Sequence, residues 1–342
     1  MSLGKKKMLS QGAAAAPPPT GTDHFKTVLY TGNGSSQNVD TVGFKPDLVF
    51  IKPRRATVNS SFYDSVRGVS YALATQSNEQ HYLFSNYGVT SFRTLGFTVA
   101  GQANGGYRVN GSSGGQFAGN PADYVAWCWK AGGTASDITS SSTNVSAASR
   151  SANATSGFSI VTYTVNSSSS VVIPHGLNSA PKVALVKRTD GSSDWFWYNT
   201  VASGKGRGFL NNGNAFDNSG VPTFDSTNLT FQASDPFSSG SSAVIYFFAD
   251  VAGYQKIGTY QGTGSSGKTV TTGFQPRWLI AKSQASDNWR IYDSVRGNAV
   301  LYGNLANSED AASHVTFNST SFTWNTDNNN GNNVDYIYLA IA

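Results

Sequence analysis

The sequence predicts an all-β protein: three tandem, related antiparallel β-sandwich domains of jelly-roll-like kind, preceded by an extended N-terminal peptide. Three observations lead there. The first is composition, since 36 of 342 residues are glycine, 13% are aromatic and only 13% are charged. A chain so poor in long-helix formers and so rich in turn residues suits short strands joined by polar turns. The second is a series of short apolar or alternating runs bounded by turn residues, the pattern of strands. The third is a fixed order of self-similar blocks, which sets the domain plan.

Residues 1–24 differ from the rest. Gly4-Lys5-Lys6-Lys7-Met8-Leu9 is followed by Ala13 to Ala16 and then Pro17-Pro18-Pro19, so a basic and apolar tag sits on a stiff polyproline spacer. Copy one, residues 25–131, runs from the turn Tyr30-Thr31-Gly32-Asn33-Gly34 through Gly43-Phe44-Lys45-Pro46 into Leu48-Val49-Phe50-Ile51-Lys52. It continues with Asp64-Ser65-Val66-Arg67-Gly68 and closes on Tyr124-Val125-Ala126-Trp127-Cys128-Trp129. Leu48 to Ile51 is apolar throughout and reads as a central strand, with Pro46 just ahead of it, where no ladder donor is lost.

Residues 132–156 are rich in Ser, Thr and Ala and read as a linker. Copy two, residues 157–252, is the divergent repeat: Ala180-Pro181, then Val183-Ala184-Leu185-Val186-Lys187, Trp195-Phe196-Trp197-Tyr198 and Val244-Ile245-Tyr246-Phe247-Phe248. Copy three, residues 253–342, restores the order with Gly273-Phe274-Gln275-Pro276, Trp278-Leu279-Ile280-Ala281-Lys282, Asp293-Ser294-Val295-Arg296-Gly297 and Tyr336 to Ile341. At roughly 100 residues, each copy is long enough to bury a core of its own. Copies two and three join almost directly and are expected to pack as a unit.

A net charge of +5, much of it in Lys5 to Lys7, makes no nucleic-acid surface. The lone Cys128 sits in an apolar run and reads as a buried thiol, which excludes an internal disulfide framework. No apolar stretch approaches a membrane span, and Met1 to Thr20 lacks the apolar core of a secretory leader. His24, His81, His175 and His314 show no ligand spacing, so neither a metal nor a cofactor is expected.

Gly262-Thr263-Gly264-Ser265-Ser266-Gly267-Lys268-Thr269 matches the phosphate-loop pattern. The β-branched, glycine- and proline-containing stretch after it offers no helix to hold an anion, and copy one carries Gly32 to Val39 at the same place without the lysine, so a hairpin turn is expected. Asp64 with Arg67, and Asp293 with Arg296, recur in identical pentapeptides and read as turns closed by ion pairs, with no catalytic residue assigned. Copy two has Asn199-Thr200-Val201-Ala202-Ser203 there and loses both charges. Glu309-Asp310 reads as a pair of solvated loop charges, and most tryptophans as sandwich core. The Asn- and Gly-rich loops at 101–119 and 325–333 are the candidate recognition surfaces.

The Tyr-Thr-Gly-Asn-Gly turn, Gly43 to Lys52, Tyr63 to Gly68, Tyr124 to Gly132 and Gly157 to Tyr163 together resemble a family of β-rich virion proteins of tailed bacteriophages, marine ones in particular, described as structural or tail-fibre-like. The resemblance covers about residues 25–342 and implies a non-enzymatic virion component, assembled in the host cytoplasm and released by lysis. It does not choose between head and tail; with no heptad seam or Gly-x-y shaft in the sequence, the expected form is a compact fibre or receptor-binding projection that docks on capsid or tail proteins through Lys5, Lys6, Lys7, Met8 and Leu9. The expected partners are other virion proteins, a host surface glycan or receptor, and further copies of the chain in a homo-oligomer. The alternatives are a head-decoration or cementing protein with no recognition role and, less favoured, a glycan-degrading tailspike.

Overall fold

The computed structural model describes residues 23–101, 109–112, 122–232 and 236–342. Lys5 to Leu9 and most of the 101–119 loop therefore lie outside the described residues. In copy one the strands are β1 (Phe25–Thr31), β2 (Gln37–Val39), β3 (Leu48–Pro53), β4 (Ser61–Asp64), β5 (Tyr71–Ala74), β6 (Tyr82–Leu83), β7 (Gly88–Arg93), β8 (Gly96–Ala100) and β9 (Asp123–Trp129). Copy two follows with β10 (Ser136–Asp137), β11 (Val145–Asn153), β12 (Phe158–Val165), β13 (Val171–Pro174), β14 (Val183–Arg188), β15 (Phe196–Asn199), β16 (Arg207–Phe209), β17 (Thr223–Phe224), β18 (Asn228–Phe231) and β19 (Ser242–Phe248). Copy three has β20 (Gln255–Gln261), β21 (Lys268–Thr271), β22 (Trp278–Ser283), β23 (Arg290–Asp293), β24 (Leu301–Tyr302), β25 (Val315–Asn318), β26 (Ser321–Trp324) and β27 (Asp335–Ile341).

The protein is all-β, and one topology is used three times. A large sheet ordered β1-β9-β3-β4-β5-β6 faces a small one, β2-β8-β7. Copy two pairs β10-β11-β12-β19-β14-β15-β16 with β13-β18-β17, and copy three pairs β20-β27-β22-β23-β24 with β21-β26-β25. In each, an early strand, β1, β12 or β20, lies beside the last strand, β9, β19 or β27, a jelly-roll feature, and β3, β14 or β22 on its other side leads into a meander. All the paired strands run antiparallel.

Alternation along the strands shows where the cores sit. In β3 every residue is buried. Val49 and Ile51 turn into copy one's own sandwich, against Val89, Phe97 and Val99, while Leu48 and Phe50 turn the other way. The same split holds for Ala184 and Val186 against Val183 and Leu185, and for Leu279 and Ala281 against Trp278 and Ile280. The second faces of all three large sheets meet in one shared core. An uninterrupted apolar run is what a strand covered on both faces requires.

This corrects three expectations. Copies two and three do not form a unit apart from copy one, because each large sheet buries its outer face against the other two. Nor is 132–156 a linker, since β10 and β11 extend copy two's large sheet, with Arg150 opposite Val161 and Ser136 opposite Arg150. The tryptophans are mostly not sandwich core: Trp127, Trp129, Trp195, Trp197, Trp278 and Trp289 lie in the shared core, and Trp324 lies within copy three's sandwich.

Candidate functional site

The Asp-Arg turns fold as their local chemistry demands. Asp293 Oδ1 accepts the Arg296 backbone amide at 2.9 Å and Oδ2 accepts Arg296 Nε at 2.6 Å, closing a short 3-10 turn that ends on Gly297 at φ 72°. A left-handed residue there favours glycine. Asp64 repeats this with the amides of Val66 and Arg67 and with Arg67 Nε, and Gly68 stands at φ 97°. In copy two, Asn199 Oδ1 still accepts the amides of Val201 and Ala202 at 3.1 and 2.9 Å, so the turn survives without charge.

The two charged turns also meet another copy. Trp127 Nε1 of copy one donates to Asp293 Oδ2 at 2.9 Å, and Tyr246 OH of copy two donates to Asp64 Oδ2 at 2.7 Å. Registers place Trp127, Tyr246 and Leu339 at the same position, opposite Phe50, Leu185 and Ile280. A donor thus stands where the neighbouring turn carries Asp, and an apolar Leu339 stands where the remaining turn carries neutral Asn199. A buried carboxylate needs every strong partner it can reach, whereas an amide already engaged in its own turn does not.

Three seams result: copy one on copy three, copy two on copy one, and copy three on copy two. Each is crossed by a buried lysine from the end of a central strand. Lys52 Nζ donates to Leu305 O at 2.6 Å, Lys187 Nζ to Asn78 O at 3.0 Å, and Lys282 Nζ to Asn214 O at 2.8 Å. Two residues on from each lysine, a carbonyl accepts a backbone amide from the neighbouring copy: Glu309 to Arg54, His81 to Thr189 and Phe216 to Gln284. Three head-to-tail contacts of one kind close a ring.

Burial holds the lysines well below their usual range. Lys52 is lowered to about 7, with Arg296 adding repulsion, and Lys187 and Lys282 to about 8, where Asp194 and Asp287 partly offset the loss of solvent. The sequence reading missed these residues, although a lysine ending all three apolar runs was the available signal. It also misjudged Glu309. That carboxylate accepts Arg54 Nε at 2.9 Å, Arg54 Nη2 at 2.7 Å and Arg296 Nη1 at 2.9 Å, which hold it below its usual range against the opposing effect of burial. Asp310 does stay exposed, 3.2 Å from His314 Nε2.

The phosphate-loop look-alike is a hairpin turn. Gly264 N donates to Asn330 O, Gly267 N to Trp324 O and Thr263 N to Asn330 Oδ1, so these amides are already engaged, and Lys268 begins β21. Copy one repeats the clamp: Asn110 Oδ1 accepts the Asn33 amide at 3.1 Å. A Cβ on Gly32 or Gly262 would come within 2.2 Å of a carbonyl oxygen, of Gly111 or Gly331, which fixes glycine at both turns. These clamps hold parts of the two Asn- and Gly-rich loops onto the sheet ends.

Chain ends and crossings gather at the opposite sheet ends. Lys130 N donates to His24 O and Ala342 N to Tyr254 O, each at 2.8 Å, while Gln255 Nε2 bonds Ala249 O at 2.7 Å. Trp129 of copy one lies 6.5 Å from Phe248 of copy two and 5.5 Å from Trp278 of copy three. Among the described residues, no three His, Cys, Asp or Glu side chains converge as a metal site requires, and no helix is long and apolar enough to cross a membrane.

Residues 20–342 match the family described as a domain of unknown function, DUF7483. The chain belongs to this family. No curated protein and no solved structure matches it. Within this DUF7483 chain, the groups that sequence reading singled out, Asp64, Arg67, Asp293 and Arg296, are joints between copies as well as turns.

Proposed function

We propose that the chain is a non-enzymatic component of a tailed-bacteriophage particle, a compact projection fixed by its N-terminal peptide and presenting its loop-bearing end outward. One observation carries the reading. The chain enters the fold at His24, among Lys130, Asn153 and Tyr254, where the three copies meet. The clamped Asn- and Gly-rich loops lie at the other ends of the seven-residue strands β1 and β20, about 20 Å away at the usual rise per residue. A body tethered at one end and carrying its Asn- and Gly-rich loops at the other suits a projection.

Seam chemistry supports a mechanical part. Asp64, Arg67, Asp293, Arg296 and the three buried lysines are all engaged in turns or in contacts between copies. One chain thereby forms the closed ring that a homotrimer needs three chains to form.

Deleting residues 1–20 is expected to leave the β fold intact by circular dichroism and to abolish incorporation into particles. Normal incorporation would sink the anchor. Cryo-electron microscopy of the particle then gives orientation: loop ends turned inward against the shell would replace the projection with a cementing role. Release of reducing sugar from host polysaccharide would favour a tailspike instead.

A further inference from the structure

The seam of copy one on copy three contains an open cleft of about 480 Å³ that the other two seams do not repeat in chemistry. Arg54 and Arg55 wall it from copy one, Ser308, Glu309 and Ala311 from copy three, and buried Arg296 contributes beneath. At the matching positions, the seam of copy two on copy one has Thr189, Asp190 and His81, and the third seam has Gln284, Ala285 and Phe216. Neither has an arginine pair.

Part of each guanidinium is already fixed. Arg54 Nε and Nη2 hold Glu309, and Arg55 Nε holds Asp123 Oδ2 at 2.6 Å. Arg54 Nη1 and both Nη atoms of Arg55 make no bond among the described residues, and the Arg55 side chain is 54% exposed. Both Glu309 oxygens are engaged by Arg54 and Arg296, so its charge is already matched. Arg54, Arg55 and Arg296 are matched in number by Glu309, Asp123 and Asp293, so what the cleft offers is unused N–H donors and not surplus charge. Forked, pre-oriented N–H donors left unpaired around an open cleft are what a planar or tetrahedral oxyanion requires.

The geometry points to an oxyanion site in this cleft, taking the carboxylate of a uronic sugar or the phosphate of a phosphorylated sugar, with Arg55 as the main donor and Arg54 assisting. This goes beyond the particle assignment and stands or falls separately from it, because the binding test uses purified full-length protein and never involves particles.

Titration with D-glucuronate, inorganic phosphate and neutral glucose tests it by calorimetry and by backbone amide shifts. Saturable, salt-sensitive binding of glucuronate or phosphate, but not glucose, is expected, and whichever anion binds tells carboxylate from phosphate recognition. Arg55→Gln should weaken it about tenfold, the loss of one bidentate charge-assisted contact. Arg93→Gln, which alters an exposed Asp40 pair elsewhere in copy one, should leave it unchanged. Wild-type shifts should centre on Arg55, Ser308 and Ala311, a readout that no variant's folding affects. Binding of neither anion, equal binding by Arg55→Gln, or shifts confined to other regions would each overturn the site.

Discussion

The seam of copy one on copy three and the seam of copy three on copy two share one backbone latch and opposite side-chain chemistry. In the first, Glu309 at the latch tip is held by Arg54 and Arg296, and Trp127 donates to Asp293 with the Arg296 guanidinium 5.4 Å over its ring. In the other, Phe216 occupies the tip, lies 5.8 Å from Trp289, and its carbonyl accepts Lys205 Nζ, the lysine whose own carbonyl is held by neutral Asn199. Trp289 meanwhile packs tilted against Trp197, ring centroids 4.4 Å apart, and donates to Phe209 O at 2.7 Å. Backbone geometry therefore fixes how the copies meet, and side chains only have to be consistent within a seam. The ionic version leaves open, charged surface; the aromatic version closes.

The largest effect should come from opening the aromatic seam. Trp289→Ala removes a fully buried indole and orphans the Phe209 carbonyl, at an expected cost of about 3–5 kcal/mol in chemical denaturation. In the ionic seam Asp293→Ala should cost about 3 kcal/mol, because Arg296 is left buried with only part of its charge matched. Copying the apolar solution wholesale, with Asp293→Asn, Arg296→Ala and Trp127→Leu together, should recover most of that loss. A triple variant as unstable as the single one would show that the two seams are not alternative solutions to one geometry.

A pH series separates the seams next. Folded Lys52 gives up its proton near pH 7 while the unfolded chain keeps it to about 10.5, so the unfolded state binds more protons between those values. Stability should rise with pH through that window and be flat below it. Lys52→Met should flatten the rise by on the order of 2 kcal/mol, read from denaturation midpoints at pH 7 and pH 10; an unchanged slope would mean the amine is not desolvated.

The smallest effect belongs to the intermediate seam, where His81 stands at the latch tip. Burial and then the nearby Arg67 charge lower His81 to about 4, against weaker opposing pulls from Asp64 and Asp190. Its ring lies 4.7 Å from Tyr71. Since the unfolded imidazole protonates near 6.5, stability should fall as pH drops from 6.5 to 4 and level off below. Because the ring is partly exposed, the effect should be on the order of 1 kcal/mol. His81→Phe, borrowed from the aromatic seam, should abolish it; retention of the slope would place the titration elsewhere.

Much of this was legible in the sequence. Strand positions follow from apolar runs between turn residues, the hairpin at 262–269 from its lack of a following helix, and the ion-paired turns from an Asp and Arg spaced three apart before glycine. The seams were harder to see. Glu309 looks like any loop acid until Arg54, some 255 positions away in sequence, closes on it. Val145 to Asn153 is mostly Ser and Ala, too small and polar to announce a strand, and becomes one because β12 offers an unpaired edge.

Local chemistry determined the all-β class, the threefold recurrence and the Asp-Arg turns, because alternation, turn residues and short-range hydrogen bonds act within a few residues of chain. Tertiary structure alone decided what covers the second face of each large sheet. A strand such as Leu48 to Lys52 records only that both its faces are dry. Whether the outer cover is a helix, a partner chain or another copy depends on contacts more than a hundred residues distant. The ring of copies supplies that cover, and in doing so it makes three unremarkable lysines cross three seams.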